Sequence, residues 1–123
     1  VAKEYIGKFN IDTPSVEKEI DELSGGNQQK TIFSKCLFAD ANILLLDEPT
    51  RGIDVGAKEE IHKIIRKLAK DGKSIIIFSS ELSDIINNCD RIFILYSGNV
   101  REQLHNSPDL SEEYIASRIS GGD

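Results

Sequence analysis

The chain has 123 residues, of which 39% are hydrophobic, and its 21 acidic residues outnumber its 15 basic ones. This length and composition fit one globular domain that can bury a core without disulfides. The net charge of −6 argues against a general nucleic-acid-binding surface, which needs a basic face, and no apolar run reaches the roughly 20 residues that span a bilayer. The chain begins with Val1 and contains no methionine, so we expect it to be part of a longer protein.

Helices and strands are predicted to alternate from residue 24 onward. Residues 1–22 carry only a weak apolar pattern. The later predicted elements are a helix from Ser24 to about Phe38, a strand at 43–46 buried on both faces, a helix with an apolar stripe over 57–68, a strand at 74–79, a helix over 82–89, a strand at 91–96 with an antiparallel partner at 100–104, and a short helix capped by Ser111. This alternation predicts an α/β fold with a mainly parallel sheet and flanking helices.

Two adjacent carboxylates, Asp47 and Glu48, directly follow the apolar run 43–46. Burying unpaired charge is costly, so these side chains are better suited to a ligand site at the end of the strand than to the core. Magnesium takes few protein carboxylates and keeps its water and phosphate ligands. An apolar strand that ends in Asp is typical of the Walker B strand of phosphate-cleaving ATPases, although ordinary loop residues at a strand end give the same pattern.

A glycine-containing segment, Leu23–Lys30, opens the first long helix. Gly25 and Gly26 let the backbone approach an anion closely, and Ser24 can cap the helix. The free amides and the positive end of the helix dipole then favour a phosphate. Taken alone, the segment fits a plain Ser-capped helix start equally well.

The two segments together resemble the motifs of the ABC ATPases. Leu23–Lys30 is similar to the signature motif, Ile43–Glu48 to the Walker B strand and Arg51–Asp54 to the D-loop. Three features make the resemblance specific to one branch of the superfamily. They are Asn27, which stands where most of the superfamily has Gln, and the segments 50–58 and 79–82. These segments resemble the second cassette of bacterial importers of ribose, galactose, xylose or arabinose, which implies a P-loop NTPase fold.

The resemblance implies ATP and Mg²⁺ as cofactors and assigns roles to matched residues. Asp47 would help to hold the magnesium ion, and Glu48 would be the general base that polarises the attacking water. Ser24, Gly25 and Gly26, with Asn27 nearby in the same nucleotide-binding segment, would close on the γ-phosphate of a nucleotide bound by the opposite cassette. Asp54 would communicate across that interface.

Ser80 departs from the family pattern. It stands where the superfamily usually has a switch histidine that contacts the γ-phosphate, and the same substitution is usual in second cassettes of the sugar group. The departure puts hydrolysis at this cassette's own site in doubt. An alternative interpretation makes Ser80 the N-cap of the helix that carries Leu82.

No segment matches G-x-x-x-x-G-K-[ST], the loop that supplies most phosphate contacts. We therefore expect residues 1–22 to be a remnant of the helical subdomain and residues 23–123 to be the carboxyl-terminal part of the ATPase core. The Walker A strand, loop and helix would be missing, so the isolated chain should be inactive. An uncovered apolar sheet edge and face should also promote self-association.

The resemblance also implies partners and a location. The partners are the first ATP-binding cassette of the same polypeptide, transmembrane permease subunits and, indirectly, a periplasmic sugar-binding protein, with no nucleic acid. The location is the cytoplasmic side of the bacterial inner membrane. Two alternatives stay open: a soluble ABC-family ATPase without a membrane partner, and a non-catalytic interaction fragment.

Overall fold

The computed structural model of the protein describes residues 1–121, and the chain forms two compact units, Val1–Phe78 and Ser79–Asp123. The elements in chain order are α1 Ala2–Phe9, a 3₁₀ turn Ile20–Glu22, α2 Gly25–Phe38, β1 Ile43–Asp47, α3 Val55–Lys70, β2 Ser74–Phe78, α4 Leu82–Asn88, β3 Arg91–Tyr96, β4 Asn99–His105 and α5 Glu112–Ile119. The predicted α/β class is confirmed. Within residues 1–121, no helix is both long and apolar enough to cross a membrane.

The first unit is built on a parallel pair of strands. β1 and β2 pair in register from Ile43 with Ser74 to Asp47 with Phe78. Side chains alternate between the two faces of a strand, and Leu44 and Leu46 therefore share one face. Helices α2 and α3 cover that face with the other buried core residues, Phe33, Ile61, Ile65 and Leu68.

The opposite face of this sheet is open, so the prediction of a strand buried on both faces is wrong for β1. Ile43 and Leu45 are 65% and 67% exposed, and Ile76 and Phe78 of β2 are about half exposed. Helices α2 and α3 lie against the face lined by Leu44 and Leu46. The alternate side chains of both strands consequently form an apolar surface in contact with solvent.

The second unit is built on an antiparallel hairpin. β3 pairs with β4, which is the predicted antiparallel partner, and the two strands form a sheet of their own. Ser97 and Gly98 connect the strands, and both have positive φ, 49° and 78°. A two-residue turn of this kind follows the natural twist of a hairpin. The buried core of the unit consists of Ile92, Ile94 and Ile115.

The carboxylate of Glu102 in β4 makes two hydrogen bonds to side chains of helix α5. Glu102 accepts hydrogen bonds from the Tyr114 hydroxyl at 2.8 Å and from the Arg118 Nε at 2.9 Å. The Tyr114 hydrogen bond first, and the Arg118 hydrogen bond second, hold the pKa of Glu102 below its ordinary value, and the same bond to Glu102 raises the pKa of Tyr114. Both groups are therefore in the protonation states that favour this contact near neutral pH.

We expect the open face of the β1–β2 sheet to drive self-association, because large exposed apolar patches promote contact between molecules. Replacing Leu45 by Lys should shift the purified chain toward the monomer in sedimentation velocity measurements over a concentration series.

Val55→Lys is a matched control, since Val55 is 76% exposed at the start of α3 and lies outside the sheet. It should leave the association unchanged. Equal effects of the two substitutions, or a monomeric wild-type chain at the highest concentration, would contradict this prediction.

Candidate functional site

The start of α2 presents polar groups to solvent. Ser24 is the N-cap, and its Oγ accepts a hydrogen bond from the Asn27 backbone N–H at 3.4 Å. Ser24 and Gly25 are exposed, whereas Gly26 is buried. The amides of the first helical turn have no partner within a helix, so the tip of α2 is suited to contact an anion, as its sequence predicts.

Gly26 lies where α2 approaches α3 closely. A Cβ atom at Gly26 would lie 2.8 Å from the Ala57 Cβ, while one at Gly25 would lie 3.7 Å from the Gly52 carbonyl oxygen. Carbon atoms make their best contact at about 3.5–4.0 Å. A side chain at position 26 would therefore push the two helices apart. The structure thus brings the predicted signature segment onto the segment 52–57.

Asp54 has a structural role in this segment. It is the N-cap of α3, and its Oδ1 accepts a hydrogen bond from the Ala57 N–H at 3.0 Å. The side chain is exposed. It therefore fixes the start of the same helix turn that contacts Gly26.

Glu48 lies just beyond β1 in a left-handed backbone conformation, with φ 47°. Its N–H donates to the Phe78 carbonyl at 2.8 Å, and its carbonyl accepts from the Arg51 N–H at 3.1 Å. A residue with a side chain adopts this conformation at a cost of about 1–2 kcal/mol. The backbone thus holds Glu48 in a strained position between the ends of β1 and β2, as is common at functional sites.

Asp47 is a suitable ligand for magnesium at the end of β1. Its side chain is exposed, and residues 1–121 contain no group of three or more His, Cys, Asp or Glu side chains that could hold a metal ion by themselves. Magnesium typically binds through one or two carboxylates together with phosphate oxygens and water. The donor set present fits an ion that arrives with a nucleotide.

Ser80 lies in the second unit, between Ser79 and α4. The interpretation of Ser80 as the N-cap of this helix is wrong, because the N-cap residue is Glu81. The turn is held instead by Ser79, whose hydroxyl donates to the Asp84 Oδ2 at 2.9 Å and accepts from the Glu81 N–H at 3.0 Å. These bonds fix the backbone on both sides of Ser80.

The sequence analysis did not predict two buried charged side chains near these segments, Lys30 and Asp84. Lys30 is 6% exposed, donates to the Asn10 carbonyl at 3.1 Å and forms an ion pair with Glu60. Asp84 is fully buried. Charged residues of this kind are usually exposed. The sequence does not indicate the distant partners of Lys30, which are Asn10 and Glu60. Asp84 accepts a hydrogen bond from the nearby Ser79.

Comparison with known proteins agrees with the motifs. Residues 2–51 match the family described as ABC transporter. The chain is 47% identical over 114 residues to the L-arabinose transport ATP-binding protein AraG of Geobacillus stearothermophilus. This alignment covers 93% of this chain and 22% of that protein. It is 51% identical over 115 residues to the xylose import ATP-binding protein XylG of Histophilus somni. That alignment covers 94% of this chain and 23% of the relative.

Solved structures show the same fold. A putative metal-chelate type ABC transporter in an inward-facing conformation matches 98% of this chain and 48% of its own, with a TM-score of 0.82 and 18% identity. A dimeric ATP-binding cassette with ADP and Pi bound matches 85% of this chain and 45% of its own, with a TM-score of 0.72 and 23% identity. The chain spans about a quarter or less of the length of the curated relatives it matches.

The contact between Gly26 and Ala57 predicts opposite outcomes for two neighbouring alanine substitutions. Gly26→Ala should lower the free energy of unfolding by about 1–3 kcal/mol, as overpacked sites do. Gly25→Ala should leave it unchanged or raise it by up to about 1 kcal/mol, because alanine favours a helix. Chemical denaturation followed by circular dichroism measures both.

The double variant Gly26→Ala/Ala57→Gly should recover part of the stability, since it removes the opposing methyl group. No recovery, or equal costs at positions 25 and 26, would show that the two helices do not meet at Gly26.

The conformation of Glu48 predicts that Glu48→Gly is more stable than Glu48→Ala by about 1 kcal/mol, because glycine relieves the left-handed strain that alanine keeps. Both variants lack the carboxylate, so the comparison isolates the backbone. At Asp47, in the strand, the order should be reversed. Denaturation midpoints of the four variants test this, and an Ala variant more stable than the Gly variant at both positions would contradict the strain.

Proposed function

This chain belongs to the ABC transporter family, and we propose that it is the carboxyl-terminal part of the second ATP-binding cassette of a bacterial monosaccharide importer. The observation that carries the proposal is the identity of 47% and 51% to arabinose and xylose transport proteins across more than nine-tenths of this chain. In this proposal residues 1–22 are a remnant of the helical subdomain and residues 23–123 belong to the ATPase core.

We propose that the tip of α2 binds the γ-phosphate of ATP held by the first cassette of the same polypeptide. Ser24 and Gly25 are exposed there, and the backbone amides of Gly25 and Gly26 are donors of the first helical turn, whereas the Asn27 amide donates to the Ser24 Oγ. Backbone donors at a helix start favour phosphate over a neutral ligand. Asp54 caps helix α3, which contacts α2 at Gly26. It would communicate the binding of the nucleotide across the cassette interface.

The end of β1 supplies the groups for hydrolysis. A bound Mg²⁺ ion would neutralise charge on the phosphate oxygens, and Asp47 would hold it directly or through water. Glu48 would accept a hydrogen bond from the attacking water and orient it. Ser80 would contact the γ-phosphate within its own cassette with a hydroxyl, in the place of an imidazole.

The partners and location follow from the same proposal. Transmembrane permease subunits would receive the closing motion of the two cassettes, a periplasmic sugar-binding protein would deliver the sugar, and the chain would lie at the cytoplasmic side of the inner membrane. Because this sequence contains no G-x-x-x-x-G-K-[ST] loop, the isolated chain is expected neither to bind ATP tightly nor to hydrolyse it.

A chimaera tests the proposed function. The 114 matched residues of the Geobacillus stearothermophilus arabinose transport protein are replaced by this chain, and ATP turnover is measured with the purified protein. We expect turnover by the chimaera that falls at least about a hundredfold on Glu48→Gln, the scale of losing a general base. The isolated chain should show none.

Glu112→Gln is the matched control, because Glu112 is an exposed residue at the start of α5, and it should leave turnover unchanged. A chimaera that folds but is inactive would contradict the proposal. Turnover by the isolated chain that Glu48→Gln abolishes would contradict the expectation that this chain cannot hydrolyse ATP without a G-x-x-x-x-G-K-[ST] loop.

A further inference from the structure

The side chain of Asn27 connects two segments that are distant in sequence. Its Oδ1 accepts a hydrogen bond from the Asp12 backbone N–H at 3.0 Å, and its Nδ2 donates to the Ser24 Oγ at 2.9 Å. Both ends of one carboxamide are therefore occupied. An aspartate side chain at this position would have no N–H group to donate to the Ser24 Oγ. A glutamine side chain would be one methylene longer, so its carboxamide would lie farther from the backbone.

These contacts determine what the Ser24 hydroxyl can do. A serine hydroxyl has two acceptor sites and one donor. The Ser24 Oγ accepts from the Asn27 backbone N–H at 3.4 Å and from the Asn27 Nδ2 at 2.9 Å. Because both acceptor sites face Asn27, the O–H proton is left to donate away from the helix, from a side chain that is exposed.

The segment 10–12 is itself fixed to α2 by a second side chain. Lys30, one turn after Asn27, donates to the Asn10 carbonyl at 3.1 Å. Asn10 has a left-handed backbone, with φ 49°, and ends α1, and the neighbouring Ile11 is buried. The position of α1's end and the direction of the Ser24 hydroxyl are thus linked through two side chains of α2.

We infer that Asn27 is a positioning residue, which directs the Ser24 hydroxyl toward the phosphate and couples that direction to the segment 10–12. This inference rests on the proposed function, since the phosphate contact of Ser24 is part of it. In this arrangement Asn27 does not touch the nucleotide with its side chain. It acts by keeping the Ser24 hydroxyl a donor, so that a movement of the segment 10–12 changes the contact with the phosphate.

The first test uses the 123-residue chain and amide NMR. Asn27→Ala should move the Asp12 amide proton resonance upfield and speed its exchange with solvent by about tenfold, the scale expected for losing one hydrogen bond. Ser24→Ala should shift the same resonance less, through Asn27. Gln103→Ala, which removes an exposed carboxamide from β4, should leave it in place. If Asn27→Ala changes neither the resonance position nor the exchange rate of the Asp12 amide proton, the coupling is overturned.

The second test uses the chimaera with the arabinose transport protein and a double-mutant cycle. Ser24→Ala and Asn27→Ala should each lower kcat about tenfold with little change in the KM for ATP, because the loop that binds most of the phosphate is elsewhere. The double variant should also lose about tenfold, since Asn27 acts through the Ser24 hydroxyl.

The outcomes separate the two proposals. A double variant that loses about a hundredfold would show independent roles and overturn the positioning role, while the proposed function would stand. An inactive wild-type chimaera would contradict the proposed function and the positioning role together, while the Asp12 amide would still report the structural link.

Discussion

Gly26 has no side chain, and this allows the start of α2 to lie against the start of α3. The Ala57 methyl occupies the space that a Cβ atom at Gly26 would need, 2.8 Å away. The contact leaves Ser24 and Gly25 exposed at the same end of the helix. It also brings the signature segment next to the helix turn that Asp54 caps, so the two predicted motifs are in direct contact.

The second constraint lies at the end of β1. The backbone of Glu48 is held from both sides, by Phe78 of β2 and by Arg51 of the following turn, and it remains left-handed with φ 47°. Strain of this kind persists where the surrounding structure over-determines a residue. Here the parallel pair β1–β2 and the turn after it supply that surrounding structure, and Asp47 is exposed next to Glu48.

The sequence was sufficient for the features that local chemistry determines. Ser24 and Ser111 cap helices as their types predict, and the elements β1, β2 and β4 lie where apolar runs and the Ser97–Gly98 turn indicate.

It was insufficient where the outcome depends on distant partners. An apolar run does not reveal how many layers cover a strand, so the pattern at 43–46 wrongly predicted burial of Leu45, although the resemblance led us to expect an uncovered apolar sheet face. The hydrogen bond between Asn27 and Asp12 joins residues 15 positions apart, and the buried Lys30 depends on Asn10 and Glu60. No local pattern marks either contact. The roles of Asp47, Glu48 and Ser80 at a nucleotide stay predictions drawn from motif resemblance.

The most direct test of the account is to find which residues of this chain lie beside the γ-phosphate. The Glu48→Gln chimaera would be incubated with ATP that carries a photoreactive aryl azide on its γ-phosphate, irradiated, digested and analysed by mass spectrometry. The account predicts label on the segment 24–27 at the exposed tip of α2. Efficient labelling of this chain elsewhere, with the segment 24–27 unmodified, would contradict it.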